Sequence, residues 1–90
     1  MQKLEISEAF ALVLKKHRIE KGFSQELLAE KAGLHPTHIS LVERTLRNPS
    51  LNIAKSLADS LGLALSEMLA EAEQIQKRSE VKKRLNPKIS

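Results

Sequence analysis

Apolar residues recur with the α-helical period along nearly the whole chain. Ile6, Ala9, Phe10, Val13 and Leu14 fall at i, i+3, i+4, i+7 and i+8, which is one face of a first helix. Gly22 is its expected stop, and Lys21 stands in the last turn, where the negative end of the helix dipole favours a cation. Ser24 is suited to cap a second helix, Gln25 to Ala32, which Gly33 stops. Pro36 predicts the start of a third helix running to about Arg44, because its fixed φ suits a first helical position and its missing N–H costs nothing there. Arg47-Asn48-Pro49 breaks the chain, and Ser50 is the expected cap of a fourth helix ending at Gly62. Ser66 is the expected cap of a fifth. No Gly or Pro follows until Asn86-Pro87; Met68, Leu69, Ala72 and Ile75 keep the helical period, and Val81 and Leu85 are four apart. The spacing predicts one long helix over roughly 67 to 84. Val, Ile and Thr are sparse and no segment alternates with period two, so strands are not expected. The expected fold class is all-α, with five helices and an extended fifth.

The informative window is Gln25 to Arg44, where two helices must meet steeply through a very short turn. Leu28, Ala32, Leu34, Ile39 and Val42 are apolar at the spacing that points them into the crossing. Ala29 is small where the backbones come close, and Gly33 stands at the turn, where φ > 0 is expected and a Cβ is penalised. These seven positions agree with one geometry, that of a DNA-binding helix-turn-helix; an ordinary helical hairpin is the alternative.

Ser24-Gln25 through Glu43, followed by Arg47-Asn48-Pro49-Ser50-Leu51 and Leu61-Gly62, resembles the phage repressor/Cro-like family of helix-turn-helix proteins (XRE-type regulators), which includes phage repressors and restriction–modification controller proteins. The resemblance covers roughly Phe10 to Leu69. It implies a lambda-repressor-like five-helix fold with the third helix as recognition helix. It also implies phosphate contacts at Gln25 and Arg44, and a partly buried ion pair, Arg18 with Glu43, joining helix 1 to helix 3.

The faces of the third helix give its expected chemistry. With positions 39 and 42 turned inward, Pro36, Thr37, Ser40, Leu41 and Arg44 share the outward side and His38 lies at its flank. That side is expected in the major groove of duplex DNA. Thr37 and Ser40 can hydrogen-bond base edges or phosphates, and His38 can reach either. Leu41 offers only apolar surface, which a thymine methyl group matches. Pro36 stands where many members of the family carry a polar, base-reading side chain. Gln25 lies in the first turn of helix 2, where free N–H groups and the dipole attract an anion. Arg44 and Arg47 follow the recognition helix and are the expected phosphate clamps. Lys15, Lys16 and Lys21 read as solvated charges on helix 1.

Charge placement matters more than its total. The chain of 90 residues carries +4, yet residues 1–76 hold nine Lys/Arg and ten Asp/Glu, a net of −1, while residues 77–90 hold six Lys/Arg against Glu80, a net of +5. The chain is therefore expected to divide into a DNA-binding domain over 1–76 and a basic C-terminal extension over 77–90. Leu63, Leu65, Met68, Leu69, Ala72 and Ile75 exceed what one small core needs, and a two-fold interface is expected among them. The expected partner is a pseudo-palindromic operator bound by a homodimer. An antitoxin, whose second partner would be a toxin protein, is the alternative.

Other chemistry finds no support in the residues. Cysteine is absent, and His17, His35 and His38 lack metal-ligand spacing, so neither a metal nor another cofactor is expected. There is no paired-carboxylate, nucleophile–base or Gly-rich phosphate-loop arrangement, so an enzyme is not expected. No apolar run approaches the ~20 residues of a membrane span. Met1-Gln2-Lys3 leads into an amphipathic stretch rather than a signal peptide, and a cytoplasmic location is expected.

Overall fold

A computed structural model describes residues 4–85, with side chains described through residue 79. Five helices follow one another: α1 (Ile6–Glu20), α2 (Gln25–Ala32), α3 (Pro36–Glu43), α4 (Leu51–Ser60) and α5 (Leu65–Leu85), with no strand among the described residues. The chain is all-α, as the periodicity predicts.

The helix starts are set by local side-chain bonds. The Ser24 hydroxyl accepts the Leu27 N–H at 3.0 Å and the Ser50 hydroxyl accepts the Ile53 N–H at 3.1 Å, each relieving an orphan donor of a first turn. At α1 the Glu8 carboxylate accepts the Glu5 N–H at 2.8 Å. The fifth helix departs from expectation. It begins at Leu65, and Ser66 lies inside its first turn. The stabilising contact comes from Glu67, whose carboxylate accepts the Ala64 N–H at 2.9 Å, so the Glu half of a capping box works without a Ser at the cap. The helix then runs without a break past residue 76 to Leu85. Its 21 residues rise about 31 Å along a molecule 46 Å in its longest dimension. Residues 86–90 of the basic extension, and the side chains from Glu80 onward, lie outside the described residues.

One apolar core joins all five helices. Ala9, Phe10, Val13 and Leu14 of α1 meet Leu28 and Ala29 of α2, Ile39 and Val42 of α3, Ala54, Leu57 and Ala58 of α4, and Met68 and Ala72 of α5. Ile6, placed on this face by its spacing, is instead 41% exposed. It is the first residue of α1, and Leu4 packs against the core at that end. Met68 and Ala72 are fully buried within the single chain, which removes them as direct contacts of a two-fold interface. Leu63, Leu65, Leu69 and Ile75 are half-buried and pack around the rim of the core.

α1 and α5 are also clasped by polar contacts. Glu71 accepts from the Lys16 ammonium and pairs with His17 Nε2 at 2.7 Å, and the Gln76 side-chain amide donates to the Leu4 carbonyl at 2.9 Å. The Lys16 bond, then the His17 bond, hold the Glu71 carboxyl below its usual value, and the same bond to Glu71 raises Lys16. Lys16 is therefore not a free solvated charge. Its α5 partner lies 55 residues away, which spacing within α1 does not reveal.

Candidate nucleic-acid interface

The short turn between α2 and α3 depends on Gly33. Its φ of 71° and ψ of 32° are left-handed, and its neighbour's N–H closes the end of α2 on the Ala29 carbonyl at 2.8 Å. A Cβ at Gly33 would meet nothing within 4 Å, so the requirement is purely one of backbone angle. Across this turn Leu28 and Ala29 lie buried against Ile39 and Val42, with Ala32 and Leu34 half-buried beside them. Burying Ile39 and Val42 fixes the rotation of α3 about its axis.

That rotation leaves Thr37 exposed and Pro36, His38, Ser40 and Leu41 half-buried along the remaining surface. Leu41 thus keeps part of its side chain against the protein, more than a fully outward residue would. Arg44 is exposed at the C-cap, and its Nε donates to the Ser40 hydroxyl at 3.3 Å, placing the two side chains together along the helix. Arg47 is exposed in the following loop. Between them Thr45 has a φ of +58°, the one described non-glycine residue in the left-handed region. Such a conformation is strained for a β-branched side chain. It closes the end of α3, its N–H bonding the Val42 carbonyl at 3.0 Å and the next N–H the Leu41 carbonyl at 2.9 Å. The residue pattern carries no signal for this, because the usual mark of a left-handed cap is glycine.

A polar hub holds the motif to α1. Arg18 donates from Nε to Glu43 Oε2 at 2.6 Å and from Nη2 to Glu43 Oε1 at 3.0 Å, a two-pronged pair, and from Nη1 to the Phe23 carbonyl at 2.8 Å. The Arg18 and Glu43 side chains are 11% and 3% exposed. Gln25 joins them, its Nε2 donating to Glu43 Oε1 at 3.0 Å. The structure therefore brings Arg18, Gln25 and Glu43 to one point, where the start of α2 and the end of α3 meet α1. Gln25, expected from the sequence only as a phosphate-facing residue, has a side chain that also serves this internal contact.

His35 is a further contributor. It is the N-cap residue of α3, and its ring Nδ1 accepts the Thr37 N–H at 3.1 Å. Capping preferences favour Ser, Thr, Asp or Asn, so a histidine carries no mark of this role in the sequence.

Two short helices packed together across a short turn, a left-handed glycine in that turn and a second helix with one face buried and the other left at the surface define a helix-turn-helix protein. The chain belongs to the helix-turn-helix family, whose pattern matches residues 14–68. Among its relatives, the control protein C.SmaI of Serratia marcescens is 38% identical over 66 residues, covering 73% of this chain and 79% of that protein. The match spans 64%, 61% and 56% of the length of the first three curated relatives. Two solved structures extend the likeness. The clp gene regulator ClgR from Corynebacterium glutamicum has a TM-score of 0.88 over 96% of this chain and 92% of its own, at 24% identity, a likeness of fold. SinR, the master regulator for biofilm formation, solved in complex with DNA, has a TM-score of 0.63 at 34% identity over 67% of this chain and 97% of its own. No described helix is long and apolar enough to cross a membrane.

Proposed function

We propose that the chain is a sequence-specific, duplex-DNA-binding transcriptional regulator that acts as a homodimer and sets α3 in the major groove. The observation that carries this reading is the pinned rotation of α3. Ile39 and Val42 are buried and Glu43 is tied to Arg18, so Thr37, Ser40 and Leu41 are held on one side with Arg44 and Arg47 at its end. Thr37, His38, Ser40 and Leu41 read base edges in this arrangement. Arg44, Arg47 and the first turn of α2 at Gln25 contact phosphates. Leu63, Leu65, Leu69 and Ile75, on the rim of the core, are the surface for a second copy. Binding of this kind involves no chemical step, and it places the protein in the cytoplasm, where DNA is reached.

Salt titration of duplex binding tests it. With about six phosphate contacts per dimer, log K falls against log salt with a slope near −5. A flat response removes DNA binding as the function. Footprinting on a selected site should show half-site centres about 10–10.5 base pairs apart. Single unpaired half-sites, or a monomer mass by sedimentation, would count against the dimer.

A further inference from the structure

We infer that His35 is an additional DNA-contacting residue, and that its capping bond to α3 fixes the ring as a hydrogen-bond donor toward the nucleic acid. The inference rests on the proposed function.

The cap determines where the ring proton sits. The Thr37 backbone N–H can only donate, so the Nδ1 atom 3.1 Å away must accept. A neutral imidazole carries one proton, so a ring whose Nδ1 accepts holds that proton on Nε2. Cap formation thereby selects one of two tautomers. Ser, Thr or Asn in this place would meet the same backbone need without presenting an imidazole N–H beyond it.

Placement then gives the donor its use. His35 is exposed and directly precedes Pro36, the first residue of α3. Recognition helices of this type contact base edges with their N-terminal residues, so the end carrying His35 is the end that enters the groove. Among the described residues no hydrogen bond or ion pair engages Nε2. Duplex DNA offers acceptors on both its phosphates and its base edges. The ring also compensates for its neighbour, because Pro36 has neither a side-chain donor nor a backbone N–H to offer at the start of the helix.

Two measurements on the full chain test this. Long-range proton–nitrogen correlation spectra of the imidazole rings, in the buffer used for binding, should show His35 with its proton on Nε2; a proton on Nδ1 would overturn the inference. The second measurement is anisotropy with two labelled duplexes, one recovered by selection from a random pool and one a shuffled duplex of equal length. His35→Ser keeps a capping acceptor and removes the ring donor. Its melting temperature should match the wild type, and its affinity for the selected duplex should fall roughly tenfold. His35→Thr, a second capping variant, should behave alike, which separates a lost donor from an effect of Ser on folding. An equal loss on both duplexes identifies a phosphate acceptor, and a loss confined to the selected duplex identifies a base edge. Wild-type affinity in both variants removes His35 from the interface and leaves the proposed function standing. If the wild type itself shows no salt-sensitive binding to either duplex, that function falls and this inference with it.

Discussion

Glu43→Ala should be among the most damaging single substitutions outside the apolar core. The Glu43 carboxylate is 3% exposed and accepts three bonds, two from Arg18 and one from Gln25. Removing it leaves the Arg18 guanidinium largely out of water with only the Phe23 carbonyl as partner. Breaking one side of a buried ion pair costs about 3–5 kcal/mol. Because the Arg18 side chain retains 11% exposure, water can recover part of this, and a value near 3 kcal/mol is expected. A chain of this size has a total stability of about 5–13 kcal/mol, so the loss is a quarter to more than half of it. The melting temperature should fall by roughly 12–24 °C. Urea unfolding followed by far-UV circular dichroism measures the change, at fixed protein concentration because dimerisation would add a concentration term. Arg18→Met combined with Glu43→Leu should cost well under the sum of the two single changes, with a coupling of about 2 kcal/mol or more. A coupling below about 0.5 kcal/mol is the behaviour of a solvated surface pair and would refute the hub as a structural clamp.

Three further outcomes can be checked independently. Gly33→Ala should destabilise by about 1 kcal/mol, since the left-handed backbone costs an alanine roughly 1–2 kcal/mol and the lost flexibility of the unfolded chain returns part of it; Thr45→Gly, at a φ of +58°, should change thermal stability in the opposite direction. For Glu71, the carboxyl is lowered in the fold by Lys16 first and His17 second, so its contribution is present above the ordinary value of 4.5 and is lost as pH falls through the lower folded value. Glu71→Gln should flatten that acid limb of the stability–pH curve, and an unchanged limb would show that the α1–α5 clasp contributes nothing to it. Within the interface, Thr37→Ala and Leu41→Ala should weaken binding to a selected duplex by about 1–3 kcal/mol while sparing random DNA, whereas Arg44→Ala should weaken both and reduce the salt slope by about one unit. An unaltered preferred sequence in Leu41→Ala, found by repeating the selection, would mean that Leu41 does not face a base.

Short-range rules are legible in the sequence, and long-range contacts are not. Helix order, the turn at Gly33 and the inward pair Ile39 and Val42 are each written in local periodicity or in a residue with a special backbone preference. The pairing of Arg18 with Glu43 spans 25 residues, and only family resemblance points to it. The Lys16–Glu71 and His17–Glu71 contacts span more than 50 residues and have no local mark. Placing Met68 and Ala72 in an interface assumes that one small core cannot use them, but α5 lies across α1 and takes both into that core. His35 and Thr45 are hidden in the sequence because each occupies a position that another residue type usually fills.

The brevity of α3 has a practical consequence. Its eight residues fall well below the ~12–15 at which an isolated helix becomes even marginally stable in water. Its order is lent by Ile39, Val42 and Glu43 from one flank and by the His35 cap from its end. Cut out as a peptide, the segment would be a coil with no preferred face. Left in place, it keeps its fold independently of its outer face: residues 37, 40 and 41 take no part in the buried crossing or the ion pair, so foreign side chains can be grafted there while the supports of the helix stay untouched, and on the proposed reading of this face such grafts should rewrite the preferred operator.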